Sequence, residues 1–177
     1  KIVAETQKDL PARKLRILFD QAAEARLKFK STLLRSLSPS ASAWEIDQAW
    51  PPLKQFQASQ LPSWVHAICD LGPRSEESLK QQIHIEYGGE AAFVVDAVRF
   101  ALVYEDCTGL LDGLAAIRNQ FNILSIKNYF QRPTVLGWRE LLLHIEIEIS
   151  EGHRYIIQLE LQLTGLVRVR DQMQPTV

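Results

Sequence analysis

The chain has 177 residues, 46% of them apolar and 23% charged, with a formal net charge of −1. That length suits one domain with a single substantial core, and the composition is that of a soluble globular protein. The balanced charge gives no general electrostatic footprint for nucleic acid, and no apolar run reaches membrane-spanning length, so neither DNA nor a membrane is an expected partner.

Two cysteines, Cys69 and Cys107, lie far apart without CxxC or histidine-rich spacing. This argues against structural zinc and for the cytoplasm or another reduced intracellular compartment. No signal-peptide pattern opens the chain. A start at Lys1 rather than methionine is that of a processed or excised part of something longer.

From Pro11 to Leu37, residues Leu15, Leu18, Ala22, Ala25, Phe29, Leu33 and Leu37 recur at three- and four-residue steps. The spacing predicts one long amphipathic helix. Arg13, Lys14, Arg16, Arg26, Lys28 and Lys30 make its other side basic. Such a side is solvated in the ordinary case and phosphate-facing in the functional one. Ser38, Pro39, Ser40 and Ser42 end the helix. Pro51, Pro52 and Pro62 then permit only short helical pieces, with Trp44, Trp50, Phe56 and Trp64 as apolar pegs.

A second helix starts at Ser75, which can cap it, while Glu76 and Glu77 complement its dipole and Gly88 with Gly89 stops it. Ala97 to Tyr104 reads as a first strand. Thr108 then caps a helix on which Leu110, Leu114, Ile117 and Phe121 share a face. A strand over Ile123 to Tyr129 and a loop over Gln131 to Gly137 follow. After Gly165 the tail is polar, and it frays or forms a short helix.

Two alternating runs follow the loop. Leu143, Ile145, Ile147 and Ile149 oppose His144, Glu146 and Glu148. Tyr155, Ile157, Leu159, Leu161 and Leu163 oppose Gln158, Glu160 and Gln162. Period-two alternation of this length predicts an antiparallel pair with one face on a core and one polar face open. A three-residue loop closing on a bulge at Gly152 keeps like faces together, setting His144 opposite Glu160 and Glu146 opposite Gln158. The expected fold class is α+β: a mixed, mainly antiparallel sheet of about five strands with helices on one face. A ligand then belongs on the other face.

Four stretches fall in an order that resembles the synthetase domain of the RelA/SpoT family, the makers of guanosine tetra- and pentaphosphate alarmones. GPRSEESLKQQ at 72–82 is similar to the family's Arg-x-Lys-Ser-x-x-Ser-x-x-x-Lys segment, which reaches ATP. VVDAVRFALVY at 94–104 is similar to its acidic turn into a strand, although the familiar form spaces aspartate and arginine more widely than Asp96 and Arg99. IKNYFQRPTVLGWRELL at 126–142 is similar to its Lys-Asp-Tyr-x-x-x-Pro-Lys-x-x-Gly-Tyr-x-x-x-His stretch. LELQL at 159–163 is similar to its Glu-x-Gln strand.

The resemblance implies a nucleotidyltransferase-like core over 72–177, with 1–71 as a helical N-terminal part of the same domain. It implies Mg2+-dependent transfer of pyrophosphate from ATP to the 3′-hydroxyl of a purine nucleotide or RNA acceptor. Asp96 and Glu160 would hold the metal and act in catalysis with Arg99. Arg74, Ser78, Lys127, Asn128, Trp138, Arg139 and Gln162 would bind nucleotide, with the Trp138 indole under the acceptor base. A homo-oligomer or a regulatory domain is left open as a further partner.

The departures from the pattern are equally specific. Gly72 stands at the first arginine, Arg74 at the lysine and Gln82 at the terminal lysine of the first segment. Thr134 or Val135 falls at a lysine, Leu142 at a histidine and Thr164 at an arginine. Losing one charge-assisted contact costs about 1.5–3 kcal/mol, so an alternative is a catalytically inactive member of the fold used for nucleotide or protein binding. The basic side of the first helix is a candidate replacement for the missing cations.

Overall fold

The computed structural model describes residues 10–37, 65–90 and 94–173. The tryptophan-rich stretch from Trp44 to Trp64 lies outside them. In chain order the elements are α1 (Leu10–Leu37), β1 (Val65–Pro73), α2 (Glu76–Glu86), β2 (Val98–Tyr104), α3 (Cys107–Gln120), β3 (Asn122–Asn128), β4 (Leu141–Ser150), β5 (His153–Leu163) and α4 (Thr164–Met173). The five strands form one sheet in the order β1-β2-β5-β4-β3. β2 and β5 run parallel, and the other three pairings are antiparallel.

The alternation in the sequence decides which face is the core. Phe100, Leu102 and Tyr104 of β2, Leu143 and Ile145 of β4, and Ile157, Leu159 and Leu161 of β5 are all buried on one side. The predicted stripe of α1 covers that side. Phe29 packs with its ring centroid 5.0 Å from Phe100 and 5.1 Å from Phe121. Leu79 and Ile83 of α2 and Leu110 and Ile117 of α3 join the same cluster. Burying each such side chain contributes about 1.5–3 kcal/mol. Gly113 has its own reason to lack a side chain, because a Cβ there would collide with the Tyr104 ring.

The hairpin keeps like faces together by a different route from the one expected. Ser150 pairs with His153, so the turn is only two residues, and a register shift between Glu148 and Ser150 restores the parity. His144 therefore faces Gln158, Leu142 faces Glu160 and Glu146 faces Ile156. The expected partners of Glu160 and Glu146 are each displaced by two positions.

Three other features have local causes. Asp106, not Thr108, caps α3, its Oδ1 accepting from the Gly109 amide at 2.8 Å. β1 has no legible alternation, because register shifts at Val65/Ala67 and Asp70/Gly72 break its period. Its Asp70 is buried on the core side and bound by Arg26 of α1, Nε to Oδ2 at 2.7 Å. The polar tail forms α4, whose Thr164 Oγ1 donates to the Tyr104 carbonyl at 3.0 Å. Val167, Arg168 and Arg170 of α4 share a cleft of about 120 Å³ with Ala67, Ala101 and Val103. Ala101 and Val103 alternate with Phe100 and Leu102, so α4 shields the β1–β2 end of the polar face. No helix among the described residues is long and apolar enough to cross a membrane.

Candidate active site

Alternation puts Gln158, Glu160 and Gln162 of β5 side by side on the polar face. Gln158 Nε2 donates to Glu160 Oε1 at 3.0 Å, and Gln162 Nε2 donates to Glu160 Oε2 at 2.7 Å. Both oxygens of the carboxylate are thereby fixed. Gln162 Nε2 also donates to Oε2 of Glu140 at 3.0 Å, and the Trp138 indole N–H donates to the same oxygen at 2.7 Å. Glu140 is 7% exposed and immediately precedes β4, next to the Leu141–Leu161 pair.

The loop before it is a tight turn. Gly137 takes a φ of 79° and donates its N–H to the Thr134 carbonyl at 2.8 Å. Thr134 Oγ1 accepts from the Trp138 amide at 3.0 Å. From the opposite side of the site, Arg170 of α4 lies over the Trp138 ring, 5.0 Å from its centroid.

The electrostatics follow from this crowding. Burial pushes the Glu160 carboxyl above its ordinary range, and the neighbouring Glu140 carboxylate pushes it further. The hydrogen bond from Gln158 and the positive charges of Arg99 and Arg170 oppose that rise. Arg99 comes from β2, where it pairs in register with Gln158, and its Nε is buried with no hydrogen-bond partner among the described residues. A carboxylate with raised proton affinity that feels two guanidinium charges can accept a proton while cations meet phosphoryl oxygens.

Asp96 sits in a separate network. It is 8% exposed, its Oδ2 lies 2.9 Å from Arg74, and its Oδ1 is buried with no hydrogen-bond partner among the described residues. Arg74 also reaches Gln82 at 3.1 Å, and the Asp96 charge helps raise the Tyr87 phenol after burial. The carboxylate that shares a hydrogen-bond donor with Glu160 is Glu140.

The other residues singled out from the sequence divide by what they touch. Lys127, exposed on β3, faces Leu142 in register and, after burial, is the main charge lowering the His144 imidazole. Ser78 donates its amide to the cap Ser75 at 3.2 Å. Asn128 Oδ1 accepts from the Gln131 amide at 3.1 Å, and Arg139 donates to the Phe130 carbonyl at 2.8 Å. Both brace the loop that presents Trp138.

On the basic side of α1, Arg26 and Lys28 are engaged elsewhere. Arg26 pairs with Asp70, and Lys28 Nζ donates to the Ile149 carbonyl at 3.4 Å, on the side of the sheet that α1 covers. Glu140 and Arg170 were not anticipated. Glu140 has the parity of His144 and Glu146, so extending the alternation backwards would have placed it on the polar face. Arg170 lies in a polar tail with no such signal. Among the described residues, no group of three or more His, Cys, Asp or Glu is arranged to hold a metal ion.

No protein-family model and no curated protein sequence matches the chain. Solved structures do match its fold. The small alarmone synthetase 2 of Bacillus subtilis aligns with a TM-score of 0.54 at 14% identity, over 62% of this chain and 60% of that one. A GTP pyrophosphokinase family protein of Streptococcus pneumoniae aligns at 0.58 and 10% identity, over 92% and 75%. The small alarmone synthetase 1 of Bacillus subtilis, bound to its product pppGpp, aligns at 0.54 and 10% identity, over 88% and 77%. This chain thus spans less than two thirds of the first of these proteins. At such identities the likeness is one of fold: the chain has a RelA/SpoT-synthetase-like architecture.

Proposed function

We propose that the chain is a RelA/SpoT-like nucleotide pyrophosphokinase, moving pyrophosphate from ATP to the 3′-hydroxyl of a purine nucleotide or RNA acceptor. The observation that carries this is Glu160, held at both oxygens by Gln158 and Gln162 and under the positive charge of Arg99 and Arg170. In the proposed step the acceptor 3′-oxygen attacks the β-phosphorus of ATP. Its bond to the oxygen bridging to the α-phosphorus breaks, AMP leaves, and the hydroxyl proton passes to Glu160. Arg99 and Arg170 meet the charge that spreads over the phosphoryl oxygens.

A divalent ion of the magnesium type suits the donors present. Such an ion takes one or two carboxylates and leaves its remaining positions to water and phosphate oxygens. Asp96 offers a buried Oδ1 that no described residue hydrogen-bonds, and Glu160 carries charge crowded by Glu140. Asp96 and Glu160, each from its own hydrogen-bond network, are the carboxylates that would hold magnesium, which would neutralise the ATP phosphates when bound.

One observation favours a second reading, a nucleotide-binding module without turnover. Arg74, the cation that the first motif offers to ATP, is engaged by Asp96. Incubating the protein with β-labelled ATP, magnesium and GDP, GTP or RNA in turn separates the two. Labelled acceptor that disappears in Asp96→Ala and in Glu160→Ala supports the enzyme. ATP binding with no labelled acceptor supports the module.

A further inference from the structure

We propose that Glu140 is a positioning residue that ties the aromatic platform at Trp138 to the carboxylate at Glu160, so that an acceptor base and its reacting hydroxyl are presented as one unit. This rests on the pyrophosphokinase reading and deepens it. The resemblance assigns nothing here, because position 140 falls on an unspecified residue of the family's pattern. The structure gives it a definite place. Its Oε2 accepts from the Trp138 indole at 2.7 Å and from Gln162 at 3.0 Å, and the same Gln162 nitrogen donates to Glu160 at 2.7 Å.

Three hydrogen bonds therefore run unbroken from ring to carboxylate. The N–H pins the rotation of the indole, and Arg170 at 5.0 Å from its centroid restrains its tilt. A carboxylate only 7% exposed is costly to desolvate unless its hydrogen bonds compensate. Both donors to Glu140 are neutral N–H groups. Plain packing at this position would be served as well by an apolar residue, whereas fixing two donors at one point calls for an acceptor.

The test uses the whole chain and three variants, with GTP and ATP as probes. The Trp138 indole N–H resonance is assigned by its loss in Trp138→Phe. In Glu140→Ala that resonance is expected to move to a solvent-exchanging position. GTP affinity is expected to weaken about tenfold, the equivalent of a weakened base–aromatic stack, with ATP affinity nearly unchanged. Glu140→Gln keeps an oxygen able to accept both hydrogens, and is expected to keep the resonance and hold GTP within about threefold of wild type.

GTP affinity unaltered in Glu140→Ala, in a wild type that transfers label, overturns the positioning role and leaves the pyrophosphokinase reading standing. Equal weakening of GTP and ATP with the resonance unmoved, or loss of fold in both Glu140 variants, marks a purely structural residue and also overturns it. A wild type that neither binds GTP nor transfers label removes the reading on which the inference rests, and the inference falls with it.

Discussion

The two faces of the β4–β5 hairpin are built from the same alternation, yet they are stabilised in opposite ways. On the core face Leu143, Ile145, Ile157, Leu159 and Leu161 are fully or almost fully buried, and packing against α1 and α3 is sufficient to hold them. On the other face Glu160 is also largely out of water, but its surroundings are Glu140, two glutamines and two arginines. The first face lowers the free energy of folding. The second retains a carboxylate pair that raises it, since burial and the Glu140 charge both oppose ionisation of Glu160. Polar groups kept against the stability of the fold are where function is to be sought.

Breaking the core face should therefore cost stability in large steps. Phe29→Ala removes a ring that touches both Phe100 and Phe121, with an expected loss of about 4 kcal/mol in urea denaturation. Gly113→Ala forces a methyl group into the Tyr104 ring, and the same measurement should show a loss of about 2 kcal/mol.

Variants of the polar face should leave the fold nearly untouched. Arg170→Ala takes away a partly exposed stacking contact worth about 0.5–1 kcal/mol, and stability should drop by no more than that. Transfer of labelled pyrophosphate should fall more than the stability does, because the proposed step loses one of its two cations.

His144 gives the smallest and most selective signal. Burial, then the Lys127 charge, holds its imidazole below the ordinary 6.5, with Asp96 acting the other way. The unfolded chain then takes up the proton at a higher pH than the folded one. Stability is thus unaffected above 6.5 and is lost as pH falls from there through the depressed value. Replacing His144 with Gln should flatten that part of a pH–stability curve, and a curve unchanged by the substitution would contradict the assignment.

The comparison also explains what could be read beforehand. α1, β4 and β5 were legible because their apolar residues repeat without interruption, so period alone assigned each residue to a side. Parity predicted that like faces meet in the hairpin. It could not supply the register, because the bulge between Glu148 and Ser150 depends on how the two-residue turn closes. β1 was hidden by two register shifts and by Asp70, a polar residue on the core side that is tolerable only because Arg26 reaches it from α1.

The candidate site was legible where it lies on a strand, at Arg99, Glu160 and Gln162. It was not legible where tertiary packing assembles it. Nothing local in the tail says that α4 will fold back to bring Arg170 over Trp138. The basic side of α1 is the sequence's own candidate for the missing cations, but its Arg26 and Lys28 are engaged across the sheet from Glu160. The tail brings a guanidinium to the polar face over Trp138.

The account stands on Glu160 serving chemistry rather than folding. The most direct measurement is Glu160→Gln, followed at once by urea denaturation at neutral pH and by transfer of β-label from ATP to GDP or GTP. Removing a general base lowers the rate by roughly 10²–10⁴-fold, and removing a carboxylate that burial disfavours should leave the fold as stable as before or more so. Transfer at the wild-type rate, or a loss of stability matching the loss of rate, would contradict the account.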